Sequence, residues 1–133
     1  MKILFDTNTL ISAAISNGKC FEVLTHCLKN HIVFTSEFIL SELTEKLDKK
    51  FHFTSDEISE FRNAILEEVL IVSPQAVPAI ILEDPDDDNI LAAALAGNCD
   101  CIISGDKHVL GIQEYQGISI FRAGQFFEFE ARF

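Results

Sequence analysis

Positive charge is scarce in this sequence. Lys and Arg together number 10 against 21 Asp and Glu, a formal net charge of −11. Proteins that coat nucleic acid carry a broad basic face, so that class is excluded. A nuclease that gathers acids to hold metal ions is not. Long apolar runs are also absent. The first, Ile3-Leu4-Phe5, stops at Asp6, too early for a signal peptide. The longest, Ile90 to Ala96, cannot span a bilayer. A cytoplasmic protein with no membrane partner is therefore expected. The cysteines (Cys20, Cys27, Cys99 and Cys101) form no C-x-x-C pair and have no histidine partner at zinc spacing, so buried free thiols are expected. Repeats, low-complexity tracts and Gly/Ser linkers are missing as well. The only proline-marked connection, Ser73 to Pro78, reads as a loop inside a single domain spanning residues 1–133.

What is present is enough apolar material, 48% of residues, to bury a core. Short apolar runs alternate with helical patterns. Ile3-Leu4-Phe5, Ile32-Val33-Phe34, Leu70-Ile71-Val72, Cys101 to Ser104 and Ile118 to Phe121 read as strands. Between them, Cys20, Val23, Leu24, Cys27 and Leu28 recur at helix spacing, as do Ile39, Leu40, Leu43 and Leu47. Thr54-Ser55-Asp56-Glu57 has the form of a capping box ahead of Ile58, Phe61, Ile65 and Val69. Asp88 to Gly97 reads as an alanine-rich helix. Continuously apolar strands alternating with helices predict an α/β fold, with a mostly parallel sheet covered on both faces. In such sheets the functional crevice lies beyond the carboxyl ends of the strands.

Acids stand where that rule points. Asp6 closes the first strand, Asp106 follows the strand ending at Ser104, Asp88 opens the alanine-rich helix, and Glu42 precedes core Leu43. Each has an ordinary reading. Asp6 suits an Asx turn. Asp88 and Asp106 suit helix caps, and Glu42 suits a solvated helix face. Taken together they suggest more, because clustered carboxylates repel unless a cation neutralises them. Hard oxygen donors suit Mg²⁺ or Mn²⁺. The acidic run Glu83 to Asp88 lacks the glycine and terminal glutamate of an EF-hand loop.

Four segments resemble the motifs of PIN-domain ribonucleases, in order: Phe5-Asp6-Thr7-Asn8, Ile39-Leu40-Ser41-Glu42-Leu43, Asp88-Asn89-Ile90-Leu91-Ala92-Ala93-Ala94, and Ser104-Gly105-Asp106 followed by Val109-Leu110. Within that family the sequence is most similar to bacterial VapC-like toxin components of toxin–antitoxin systems. The resemblance implies a three-layer α/β/α sandwich with a mostly parallel sheet of about five strands. It implies Asp6, Glu42, Asp88 and Asp106 as metal-binding and catalytic residues, with Asn8 and Ser104 as polar helpers. Helix register favours Asp88 as the third acid, and Asp87 is the alternative. Ser104 stands where threonine is commoner, with the hydroxyl kept.

The implied activity is Mg²⁺- or Mn²⁺-dependent hydrolysis of RNA phosphodiester bonds. The implied partners are an RNA substrate, a protein antitoxin and a second copy of the chain. Lys46, Lys49, Lys50 and Lys107 are the basic groups expected near such a site, although Lys46 to Lys50 equally suit a helix end. The phenylalanines at 121, 126, 127, 129 and 133 would close the core or form a partner surface. Two other readings are weighed. A catalytically silent PIN-like binding module is the first, and the presence of all four acids argues against it. The second is a haloacid-dehalogenase-like phosphatase, whose motif Asp6-Thr7-Asn8-Thr9 also resembles. That motif needs a second aspartate where Asn8 stands.

Overall fold

A computed structural model describes residues 1–74 and 85–133, with side chains in the second segment from residue 87. The chain runs β1 (Lys2–Phe5), α1 (Thr7–Ile15), α2 (Lys19–Asn30), β2 (Ile32–Ser36), α3 (Glu37–Lys49), α4 (Ser55–Leu66), β3 (Val69–Val72), α5 (Pro85–Ala96), β4 (Cys101–Ile103), α6 (Lys107–Leu110), β5 (Glu114–Tyr115), β6 (Ile118–Phe121), a 3₁₀ turn (Ala123–Gln125) and α7 (Phe126–Arg132).

The strands form one sheet in the order β3-β2-β1-β4-β6-β5. Pairing is parallel throughout, except that β5 lies antiparallel to β6 at one edge. Five parallel strands match the expectation from sequence, and the two-residue β5 is an addition. Ile3, Leu4 and Phe5 in β1, like Cys101, Ile102 and Ile103 in β4, are each at most 1% exposed. Successive side chains of a strand point to opposite faces. Both faces of the sheet centre are therefore covered, which is the three-layer arrangement. The edge strand β3 instead leaves Leu70 and Ile71 about half exposed (56% and 46%).

Local signals explain most boundaries. Ser36 caps α3 by accepting from the Ile39 amide, and the Thr54/Glu57 capping box opens α4. Two boundaries differ from the sequence reading. The segment Thr7–Ile15 carries no clear apolar periodicity, yet it is helical, capped by Asp6 and packed on α2 and α3. Helix α5 begins at Pro85, three residues ahead of Asp88. Proline suits a first helical position because its missing N–H has no partner there anyway. Of the Ser73–Pro78 loop, residues 75–78 lie outside the described residues, as do Glu83 and Asp84 of the acidic run.

All four cysteines are free; three are buried and Cys20 is half-buried. Of the terminal phenylalanines, Phe121 and Phe126 are in the core, whereas Phe133 is 70% exposed. No helix among the described residues is long and apolar enough to cross a membrane.

Candidate active site

Strand β1 has β2 on one side and β4 on the other. From β1 the chain moves outward through β2 and β3, then returns to place β4 on the opposite flank. This reversal is a topological switch point, and it opens a crevice beyond the carboxyl ends of β1 and β4. Asp6 follows β1 and Ser104 follows β4, so both project there.

The site is tied together by direct hydrogen bonds. The Asp6 amide donates to the Ile103 carbonyl at 3.0 Å. Its carboxylate accepts from the Thr9 amide at Oδ1 (2.8 Å) and from the Ser104 hydroxyl at Oδ2 (2.5 Å). Asp6 is 4% exposed and Ser104 is 1% exposed. A buried carboxylate is tolerable only when its oxygens are satisfied in this way. The Ser104 oxygen also accepts from the Asp106 amide at 3.0 Å. Asp106 caps α6, accepting from His108 and Val109 amides at 2.8 and 3.2 Å. From α3, Glu42 receives the Thr7 hydroxyl at 2.5 Å. One turn further on, Lys46 lies 3.9 Å from Glu42 Oε2 and donates to Asn8 Oδ1 at 3.4 Å.

These groups line a cleft of about 50 Å³ that includes Asp6, Asn8, Glu42, Lys46, Asp87 and Asp106. The space suits a hydrated ion rather than an organic ligand. Four carboxylates meet one ammonium there, an excess of negative charge that calls for a cation. The donor set, all hard oxygen, fits Mg²⁺ or Mn²⁺.

Three of the four acids singled out in the sequence, Asp6, Glu42 and Asp106, thus reach one cleft, together with Asn8. Asp88 is buried, 3% exposed, and is not among the residues lining it. Its neighbour Asp87 is. Of the lysines, Lys46 alone reaches the cleft. Lys49 pairs with Glu45 at 3.4 Å, Lys50 sits over the Phe51 ring at 6.0 Å, and Lys107 is exposed in α6.

A second cavity, about 460 Å³, adjoins the first. Asn8 lines both, and Ser104 stands on its wall, with Lys19 and Arg122 contributing positive charge. Neither cation stood out in the sequence. They lie more than a hundred positions apart and meet only through the fold.

Residues 2–108 match the PIN domain family. The chain belongs to that family. The matched span contains every residue of the acidic cleft, so the PIN domain's sheet and helices are what bring these side chains together. Among solved structures, the PIN fold here is similar to that of VapBC2 from Rickettsia felis, crystallised bound to a DNA fragment from its promoter. The superposition has a TM-score of 0.68 at 15% identity, covering 90% of this chain and 97% of that one. No curated protein matches the sequence. Membership of the PIN family removes the phosphatase reading of Asp6-Thr7-Asn8-Thr9.

Proposed function

We propose that this PIN domain is a metal-dependent endoribonuclease acting as the toxin of a toxin–antitoxin pair. The observation that carries the reading is the meeting of Asp6, Glu42, Asp87 and Asp106 in one small cleft at the switch point of the sheet. The mutual repulsion of such a cluster is offset by a bound cation, and its oxygens are a donor set that suits Mg²⁺ or Mn²⁺. The toxin assignment rests on the family and on the likeness to a structure described as VapBC2 with promoter DNA. A small antitoxin protein is the partner this implies.

Asp6, Glu42, Asp106 and Asp87 hold the cation in this proposal. Asp87 takes the third place, ahead of Asp88, because it faces the cleft. When bound, a divalent ion supplies Lewis-acid polarisation and positive charge at the scissile phosphate. The protein supplies the rest. Ser104 and the Thr9 amide fix both oxygens of Asp6 in one orientation, so that little reorganisation is needed on binding. Thr7 does the same for one oxygen of Glu42. A cleft carboxylate takes the proton from the attacking water, a role within reach of a positioned acid. Lys46 offsets phosphate charge on one side. The adjoining cavity, with Lys19 and Arg122, accommodates the neighbouring nucleotide.

The test is cleavage of labelled single-stranded RNA by purified protein with Mg²⁺, Mn²⁺ or EDTA, beside an identically prepared Asp6→Asn variant. Metal-dependent cleavage that the variant lacks is expected. Equal cleavage by both proteins removes Asp6 from the mechanism. Absence of cleavage, together with failure to bind metal, supports the silent binding module instead.

A further inference from the structure

A second constellation lies at the opposite end of the sheet from the acidic cleft, where β1 and β2 begin. His31 ends α2 and immediately precedes β2, and His26 lies five residues earlier on α2. Glu130 comes from α7, 99 positions after His31. The His26 Nε2 and His31 Nε2 atoms stand 2.7 and 2.5 Å from the same oxygen, Glu130 Oε2. One ligand atom from each residue lies within 4.8 Å of the others.

We propose that His26, His31 and Glu130 form a binding site for a divalent transition-metal ion of the zinc type. Two imidazoles and one carboxylate are a recurrent three-ligand set for such ions, with the remaining position left to water. Imidazole nitrogen selects Zn²⁺, Ni²⁺ or Cu²⁺ over Mg²⁺. The site therefore differs in metal preference from the all-oxygen cleft.

The geometry needs little adjustment. Ligands about 2.0–2.1 Å from a tetrahedral ion are roughly 3.3 Å apart. The two nitrogen–oxygen contacts must therefore open by less than 1 Å, and the two nitrogens, within 4.8 Å of each other, must settle at a similar spacing. Glu130 can supply this movement from α7, a seven-residue helix. The rings are already oriented. His26 packs edge-on against Phe126 and Phe127, with centroids at 6.0 and 5.0 Å, and His31 packs edge-on against Phe126 at 5.9 Å. Side-chain exposures of 31% for His26, 13% for His31 and 28% for Glu130 leave a path for the ion.

In the metal-free protein each imidazole donates its Nε2–H to the carboxylate. The outer Nδ1 atoms face donors, the Asn30 amide for His26 (3.4 Å) and the Met1 amino group for His31 (3.3 Å). Ligation through Nε2 requires each ring proton to move to Nδ1, with no net proton gained or lost by a neutral ring. A half-turn of the Asn30 amide then presents its oxygen to His26, and the Met1 amino group must swing away from His31 Nδ1. The bound ion would staple α7 to α2 and to the start of β2.

The experiment uses untagged, metal-stripped protein in saturating Mg²⁺, so that the acidic cleft is occupied by a hard ion. Zn²⁺ is titrated calorimetrically and by thermal unfolding. Histidine ring NMR signals of the wild type are followed in parallel. The expected result is one equivalent bound at micromolar concentration or tighter, a rise in Tm, and shifts confined to His26 and His31. Affinity should fall by about tenfold or more in His31→Gln and Glu130→Gln, and be unchanged in Asp6→Asn. Glu130→Gln keeps an oxygen acceptor for the rings, which guards the fold. No Zn²⁺ uptake, or uptake lost in Asp6→Asn while both His31→Gln and Glu130→Gln retain it, overturns the proposal. Neither result bears on RNA cleavage.

Discussion

The Ser104 hydroxyl donates to Asp6 Oδ2 at 2.5 Å, across 98 positions of sequence. With the Asp6 amide–Ile103 carbonyl bond this contact joins the ends of β1 and β4, and with the Thr9 amide it holds a buried carboxylate in place. Ser104→Ala removes it and leaves the oxygen without its donor. Hydrogen bonds to charged groups contribute about 1.5–3 kcal/mol. A loss of stability on that scale is expected in urea unfolding, along with weaker metal binding.

The acids at 87 and 88 should separate cleanly. Asp87→Asn removes one of four carboxylates from the cleft. The metal-free protein is expected to hold or gain stability by about 1 kcal/mol, the scale of two like charges a few ångströms apart in water. The added stability from Mn²⁺ should largely vanish. Asp88→Asn, at a buried position, should instead destabilise the metal-free protein while leaving more of the Mn²⁺ response. Thermal unfolding of both variants with and without Mn²⁺ checks this.

Lys46 is the only cation lining the cleft among the described residues. Lys46→Ala is expected to weaken RNA binding several-fold at low salt. It should also reduce the slope of log affinity against log salt by about 1, the effect of losing one phosphate contact. Fluorescence anisotropy over a salt series measures both.

The buried thiols give a pH signature. Burial pushes Cys27 and Cys99 from an ordinary 9.0 up to about 12, and raises Cys101 further. Above pH 9 the unfolded chain loses these protons while the folded one keeps them, so stability must fall as pH rises towards 12. At neutral pH the same burial protects these thiols. A thiol reagent should modify the half-buried Cys20 at most in the native protein, and all four cysteines after unfolding.

Much of the fold was legible because its strands are unbroken apolar runs that stop abruptly at polar residues. Phe5-Asp6 and Ile103-Ser104 are two such stops, and they mark the crevice. Helix α1 was not legible. Thr7, Thr9 and Ser12 are weak helix formers, and the segment is helical through the Asp6 cap and through packing on its neighbours. The third acid is ambiguous by one position because three aspartates, Asp86 to Asp88, stand side by side. Helical spacing puts buried residues at i+3 and i+4 from both acids, Ile90 and Leu91 for Asp87, Leu91 and Ala92 for Asp88, so periodicity alone does not separate them. Asp87 falls in register with Ile90, which also lines the cleft. The His26, His31 and Glu130 group could not be seen at all, since its members share no spacing.

The long reach between Asp6 and Ser104 also has a consequence in time. A ribosome releases the amino end first, so Asp6 and Glu42 emerge early. Their crevice has no second wall until β4 pairs with β1, and β4 is itself flanked by β6, which ends at Phe121. Pairings so distant in sequence form late. A nascent or truncated chain therefore carries Asp6 and Glu42 without the site, and whatever activity the cleft has begins only once β4 and β6 have been made.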